Sequence, residues 1–515
     1  MSTRATQPAR ATAWGLLPCL LGLFVAAGGA RADGPLGPNG APIETSSYSI
    51  DLGAGPILAG SRPTGLGGAY VAIAEEVDGN QQNPAAPAVR PAYSLTHFDF
   101  SLGLGVTFSS TVTDNDFFNT GADRTVITNH PDDAVFAAPA LNLQWGTFGI
   151  GLSVEAQTYA LDPTGAGREP SDDDRLEATI GRLRLQTAKG FYDGQLIAGV
   201  GAGPVAMSIT RQRTRQEAFV DETFANEAIL DSGGLSFELG ALWRPIGLPI
   251  RAGAAVQTGV RTEISAGDHT QNNGDVVIDP EGANPIFLPR SVALPWRLGL
   301  GFAFQAGPRP LNPRWIDPSN AMAPARRSID IRWQRERLDL QRRIEQADAA
   351  GDGSRAEAFR AELTRAKAHH GAEIEALEER TARKLKERYH SMPREYLLVS
   401  GSLELTSGVE NAVGVESFLQ GVVNRSGRRP VLSPRVGVET EVLPGYIKLR
   451  AGSYLEGSRF QRGSARLHGT LGFDIRVLDW SVFGLWDDDR SWRLGGVIDT
   501  APRYFAWGVS AGGWY

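Results

Sequence analysis

The sequence predicts an all-β protein, a transmembrane antiparallel β-barrel of about fourteen strands interrupted by one α-helical hairpin. Three observations carry that expectation. A hydrophobic period of two recurs in segments along the chain, and the connections alternate between tight turns and long polar loops. An export-type leader is followed by no stretch approaching the roughly 20 apolar residues of a membrane-crossing helix.

The leader comes first. Arg4 and Arg10 form a positive start, residues 14–27 an apolar run, and Ala30-Arg31-Ala32 a small-x-small cleavage site, so the mature chain is expected to begin near Asp33. The only cysteine, Cys19, falls inside the leader. The mature chain would then have no thiol, which excludes disulfides, cysteine metal sites and cysteine nucleophiles. On composition alone, 515 residues with a net charge of -7 would suit two or three soluble domains. No cofactor, metal site or nucleic-acid partner is expected.

The pattern overrides the composition. Phe98, Phe100, Leu102, Leu104, Val106 and Phe108 alternate with Asp99, Ser101, Gly103, Gly105 and Thr107. Leu467, Leu471, Phe473, Ile475 and Val477 likewise share one face, opposite His468, Thr470, Asp474 and Arg476. Strand starts are expected near Thr96, Pro139, Thr147, Glu177, Gln195, Gly234, Ile250, Pro295, Arg394, Pro430, Ile447, Arg466, Trp480 and Pro502. Tight turns near residues 145–146, 190–194, 245–249 and 443–446 take turns with long loops at 111–133, 162–175, 211–232 and 262–290. A soluble sandwich has short turns at both ends; short turns on one rim and long loops on the other mark an outer-membrane barrel. The final "YFAWGVSAGGWY" alternates toward an aromatic terminus, as a closing strand would, and its Gly508-Val509-Ser510-Ala511-Gly512 lacks the helix a nucleophile elbow needs. No enzyme activity is expected.

Residues 60–90, "GSRPTGLGGAYVAIAEEVDGNQQNPAAPAVR", suit neither a strand nor an ordinary helix. Gly65, Gly67 and Gly68 would weaken a helix, and the segment lies just before the first strand, where it can enter the lumen. Its Gly-Gly-Ala-aromatic run and Asn-Pro-Ala step resemble the N-terminal signature of the FadL-type long-chain fatty-acid transporters and their PorV-like relatives. "LPWRLGLGFAF" and "RVGVETEVLPGYIKLRAGSY" resemble a strand and a late hairpin of the same family. The resemblance implies a lumenal hatch carried by Arg62, Gly67, Gly68, Ala69, Tyr70, Asn83, Pro84 and Ala85. The chain departs from that pattern in reading Asn-Pro-Ala-Ala-Pro and in its long helical insertion.

Irregular backbone cannot face lipid, so a hatch needs polar partners on the wall. The inward parity nominates Asp99, Glu155, Glu238, Arg251, Glu439, Lys448, Arg450, Asp474 and Arg476 as lumen-lining residues, with Arg62, Glu75 and Glu76 as plug-side ion partners. The insertion is rich in Ala, Arg, Glu and Leu, breaks at Gly351-Asp352-Gly353, and carries a capping box at Ser354 and Glu357. Strand parity places it in the periplasm. Adjacent His369 and His370 diverge on a helix and form no metal pair.

The expected organisation is a leader at 1–32, a plug at 33–92, barrel strands at 93–306, a periplasmic hairpin at 307–393 and the remaining strands at 394–515. A monomeric barrel in the outer membrane of a Gram-negative bacterium is expected, surrounded by outer-membrane lipid. Two function classes follow: passive transport of a hydrophobic small-molecule ligand, such as a long-chain fatty acid, or a PorV-like barrel whose hairpin holds a periplasmic protein partner.

Overall fold

The computed structural model describes residues 35–53, 55–91, 94–109, 116–121, 134–161, 175–217, 220–264, 270–272, 274–278, 280, 285–481 and 491–514. The expected leader at 1–32, with Cys19, and the terminal Tyr515 lie outside them.

Fourteen antiparallel strands close into one barrel. In chain order they are β1 Phe98–Ser109, β2 Ala134–Trp145, β3 Phe148–Leu161, β4 Arg175–Phe191, β5 Leu196–Glu217, β6 Val220–Trp243 and β7 Ile250–Gln257. The second half comprises β8 Arg297–Ala306, β9 Leu397–Thr406, β10 Val431–Leu443, β11 Ile447–Glu456, β12 Arg466–Asp479, β13 Ser491–Ala501 and β14 Tyr504–Gly513. The barrel closes where β1 pairs with β14, Leu104 opposite Ala511 and Phe108 opposite Trp507. Closure leaves no unpaired edge for lipid to meet.

Three expected starts shift. β2 begins at Ala134 and not Pro139; Pro139 sits inside the strand, and its missing N–H leaves a gap in the β2–β3 ladder between Ala137 and Ala140. β6 begins at Val220 and not Gly234, because β5 and β6 stay paired far beyond their neighbours, which turns residues 211–217 and 220–232 of the expected loop into strand. β13 begins at Ser491, eleven residues beyond Trp480.

The outer face is apolar around the whole circumference, with Leu104, Val200, Leu239, Phe302, Val436, Leu471 and Leu494 all exposed in the isolated chain. Phe98 and Phe473 lie outward, as the alternation requires, and Phe100 stacks beside Phe98 at 6.5 Å. Such a belt is stable only against hydrocarbon, so the barrel spans a bilayer. Exposed Phe98, Trp145, Phe191, Tyr192, Trp243, Tyr446 and Trp480 all sit at strand ends or turns on one rim. They form the aromatic girdle of one membrane interface.

That rim carries the tight turns after β2, β4, β6 and β10 and both ends of the barrel sheet, while β13 and β14 are joined by a tight turn on the opposite rim; we call the first the turn rim. The opposite, loop rim is covered by a cap. Residues 35–58 reach it, and Ser49–Asp51 forms the middle strand of a five-stranded sheet, parallel to Ser291–Leu294 on one side and Ala412–Gly414 on the other. Ile43, Tyr48 and Ile50 pack there against Phe117, Tyr159, Ile209, Leu288 and Phe418. The described chain before residue 60 therefore packs at the loop rim, and only the part from about residue 60, not the whole expected plug of 33–92, enters the lumen.

Between β8 and β9 the chain first crosses the turn-rim mouth as an extended strap, residues 307–317. Asn312 Nδ2 donates to the Pro245, Leu248 and Ile250 carbonyls at 2.8–3.0 Å, Arg314 pairs with Asp193 at 2.8 Å, and Trp315 Nε1 donates to Ser94 O at 2.8 Å. Pro308, Pro310 and Pro313 keep this piece out of a helix. The hairpin follows: α2 is Pro318–Ala349 and α3 is Gly353–His390, the latter about 57 Å long at 1.5 Å per residue. The second helix is capped by Asp352, which accepts from Arg355 N at 3.1 Å, and not by Ser354, whose hydroxyl instead donates to that carboxylate. These bonds hold the exposed Asp352 carboxyl below its ordinary value. The helices cover one another through Leu340, Ala347 and Ala356, and His370 pairs with Asp330 at 3.0 Å while stacking on Trp333. Leu338, by contrast, is exposed.

A plugged lumen as the candidate functional site

From Gly60 the chain enters the barrel and nearly every residue to Arg90 is buried. It forms one helical turn, α1 Ser61–Gly65, and two 3-10 turns, Val77–Gln81 and Ala86–Ala88, joined by irregular backbone. Gly67 and Gly68 adopt φ of 59° and 73°, the left-handed region where a side chain would be strained. Asn83 builds the bend ahead of Pro84: its Oδ1 accepts Ala85 N at 3.0 Å, and its Nδ2 donates to Val71 O at 3.0 Å and to Ala241 O on β6 at 3.2 Å. Ala69 is buried and donates to Leu66 O at 3.1 Å.

The wall is hollowed to receive this backbone. Three cross-strand pairs of inward glycines are Gly437–Gly452, Gly199–Gly240 and Gly253–Gly301. A Cβ at Gly437 would lie 2.4 Å from Leu66 O, one at Gly199 2.0 Å from Pro84 O, and one at Gly253 2.4 Å from Val71 O. Each pair is a socket that admits plug main chain where any side chain would collide. These glycines escaped the sequence reading, although their inward parity on predicted strands was available.

Charge ties the plug in place. Arg62 makes a fork to Glu439, Nε to Oε2 and Nη2 to Oε1 at 2.9 Å each, while its Nη1 reaches Tyr70 Oη, Glu75 and Glu76 at 3.0 Å. Arg251 holds Glu75 from the other side at 2.8 Å and donates to Ile73 O at 3.0 Å. Arg493 reaches Asp78 at 2.8 Å and Glu76 at 3.4 Å, and continues to Asp474 at 3.1 Å, which pairs with Arg450 and so back to Glu439. The ring Arg62–Glu439–Arg450–Asp474–Arg493 thus closes through the plug carboxylates. Ala74 and Glu76, neither a glycine, adopt φ of 45° and 62° beside Glu75, so the plug is strained where it is most tightly clamped. Ser61 and Ser510 share a hydrogen bond across the plug–wall boundary, which gives Ser510 a place in the wall and not at an elbow.

The nominated wall residues divide by partner. Glu439, Arg251, Arg450 and Asp474 belong to the clamp. Glu155 and Glu238 are inward but both pair with Arg184 of β4, leaving contact with the plug to Gln186, which donates to Asn80 O at 2.7 Å. Lys448 is buried with its Nζ 4.7 Å from the Trp514 ring centre. Asp99 is buried and accepts Phe100 N at 2.8 Å; its cross-strand neighbour Gln144 donates to Pro87 O at 2.7 Å. Arg476 is the exception: β12 passes a bulge there, and the side chain pairs with exposed Asp479 at 2.7 Å on the turn rim. Arg493 was missed because the displaced start of β13 hid its parity.

The plug separates two chambers. On the loop-rim side Glu155, Arg182, Arg184, Glu238, Arg297 and Arg435 face an apolar side formed by Leu52, Ile57, Leu58 and Val71. On the turn-rim side a second cavity lies between the plug, the strap and the base of the hairpin.

No protein-family model matches the chain, and no curated protein matches it. Solved structures similar to it include the CymD monoaromatic hydrocarbon channel, at 9% identity and a TM-score of 0.45, covering 88% of this chain and 96% of that one. A Pseudomonas aeruginosa FadL homologue is similar at 11% identity and a TM-score of 0.42, covering 92% and 99%. An outer-membrane channel from Pseudomonas putida F1 is similar at 10% identity and a TM-score of 0.27, covering 80% and 94%.

Proposed function

We propose that the chain is a plugged outer-membrane channel of the FadL-type kind, which passes hydrophobic molecules carrying a polar end, long-chain fatty acids among them, across the outer membrane of a Gram-negative bacterium. The observation that carries this reading is residues 60–90, held between two chambers by ion pairs and glycine sockets and strained at Ala74 and Glu76. A segment clamped by charge and not by a continuous hydrogen-bond ladder has a second arrangement within reach. The mixed lining of the loop-side chamber suits an amphiphile better than a plain hydrocarbon. The turn rim is read as periplasmic because outer-membrane barrels keep their short turns there.

The test is uptake of labelled hexadecanoate by cells bearing the chain against cells lacking it. Faster uptake with the chain is expected; equal uptake, for this and for shorter acids, would reject the reading. The PorV-like alternative draws support from the strap and hairpin, which extend from the mouth below the plug and offer a protein partner two long helices. Loss of a secreted or surface protein from cells lacking the chain, with uptake unchanged, would favour it.

A further inference from the structure

Cationic side chains outnumber carboxylates in the lining of the cavity below the plug. Its carboxylates, Glu75, Glu76 and Glu439, are already engaged by Arg62, Arg251, Arg450 and Arg493. Arg244, the residue after β6, lines the same cavity at 6% exposure. Among the described residues its guanidinium makes one hydrogen bond, Nη2 to Pro313 O of the strap at 3.4 Å, and no ion pair. Half-buried Arg394, at the foot of the hairpin, rests over the Tyr389 ring at 5.2 Å and also has no carboxylate partner among the described residues. Burial, with Arg251 nearby, pulls the Arg244 guanidinium down to about 9 against the opposing charge of Glu75, so it remains a cation at neutral pH with no carboxylate in ion-pair contact among the described residues.

Apolar surface adjoins this charge. Ile73 and Val89 of the plug, Leu311 of the strap and Met392 after α3 line the cavity together with Arg244. A cationic fork beside an apolar wall recognises a molecule with one acidic head and one hydrocarbon tail, because guanidinium matches a carboxylate with two parallel hydrogen bonds.

We propose that this vestibule is a binding site for a carboxylate amphiphile, the head on Arg244 with Arg394 at the entrance and the tail against Ile73, Val89, Leu311 and Met392. The site rests on the channel reading, for which it names the substrate class and a station on the periplasmic side of the plug. The strap then acts as the floor of a site and not only as a connection to the hairpin.

The test is binding to the full chain in nanodiscs of zwitterionic lipid, titrated at neutral pH with dodecanoate and with its uncharged analogue dodecanol. Dodecanoate is expected to bind at least about tenfold more tightly. Arg244→Gln should bring dodecanoate down to the dodecanol affinity and leave dodecanol unchanged, Arg244→Lys should retain an intermediate affinity, and Arg394→Gln should weaken dodecanoate by a smaller factor. Because the ligand must be ionised, wild-type binding should fall as pH drops through the carboxylate range near about 4 to 5. Wild-type affinity for dodecanoate in Arg244→Gln, or no preference over dodecanol, would overturn the site. So would displacement of dodecanoate by phosphatidylglycerol in the disc, which would identify the occupant as membrane lipid. Should Arg244→Gln fail to fold, Arg394→Gln and the pH profile decide alone. Hexadecanoate uptake without this binding would reject the site and leave the channel; binding without uptake would do the reverse.

Discussion

At Gly437 a missing methyl group decides whether the lumen is filled. Its Cβ would meet Leu66 O at 2.4 Å and Leu66 Cα at 2.8 Å, both plug main-chain atoms that have no rotamer to escape into. Valine there should cost the plug about 1–3 kcal/mol of overpacking while the strand ladder, which closes on itself, keeps the barrel. Liposomes carrying Gly437→Val are expected to leak small polar solutes that the wild type retains, with the heat-dependent gel mobility of a folded barrel unchanged. Retention equal to the wild type would mean that the socket does not seat the plug. Arg62 is the charged counterpart. It serves three carboxylates and one tyrosine hydroxyl, and removing one member of such a buried set strands the others, typically at about 3–5 kcal/mol.

Among the elements, the strands were legible because lipid imposes a strict rule: every outward residue must be apolar, so a period of two survives even where composition is bland. Phe98 to Phe108 and Leu471 to Ile475 could be read by eye. Where that rule lapses, reading failed. β5 and β6 continue beyond their neighbours, and their upper halves carry arginines and acids, which resemble loop. The start of β13 was misplaced by eleven residues because Trp480, a girdle residue on the turn rim, looks like the opening of a strand. The clamp was half legible: parity nominated Glu439, Arg251, Arg450 and Asp474 on the wall, and the plug segment supplied Arg62, Glu75 and Glu76, but Arg493 and the glycine sockets depend on register between distant strands, which one sequence does not print. The parallel pairing of Ser49–Asp51 in the cap was invisible for the same reason. The hairpin offers the element-scale prediction. Its flanking strands place it on the same rim as the aromatic girdle and the end of β14, read as periplasmic. Protease added to intact cells should spare Pro318–His390, and should cut it once the outer membrane is permeabilised. Cutting in intact cells would invert the barrel.

For the whole molecule, the parts form a series along the barrel axis: a cap made partly of the chain's own N-terminal segment, a polar and apolar chamber, a clamped plug, a vestibule lined by Arg244, and a strap that leads into the hairpin. The central claim is that the plug must move for a molecule to pass. Ser61 on the plug and Ser510 on the wall, hydrogen-bonded to each other, allow that to be tested, since the expected mature chain has no cysteine of its own. In the double variant Ser61→Cys and Ser510→Cys, oxidation should join plug to wall. The measurement is hexadecanoate uptake by intact cells with the bond formed and after adding reductant. Uptake is expected to fall to the rate of cells lacking the chain when oxidised and to recover on reduction, while the wild type ignores the reductant. Uptake by the oxidised variant as fast as by the wild type would contradict a moving plug.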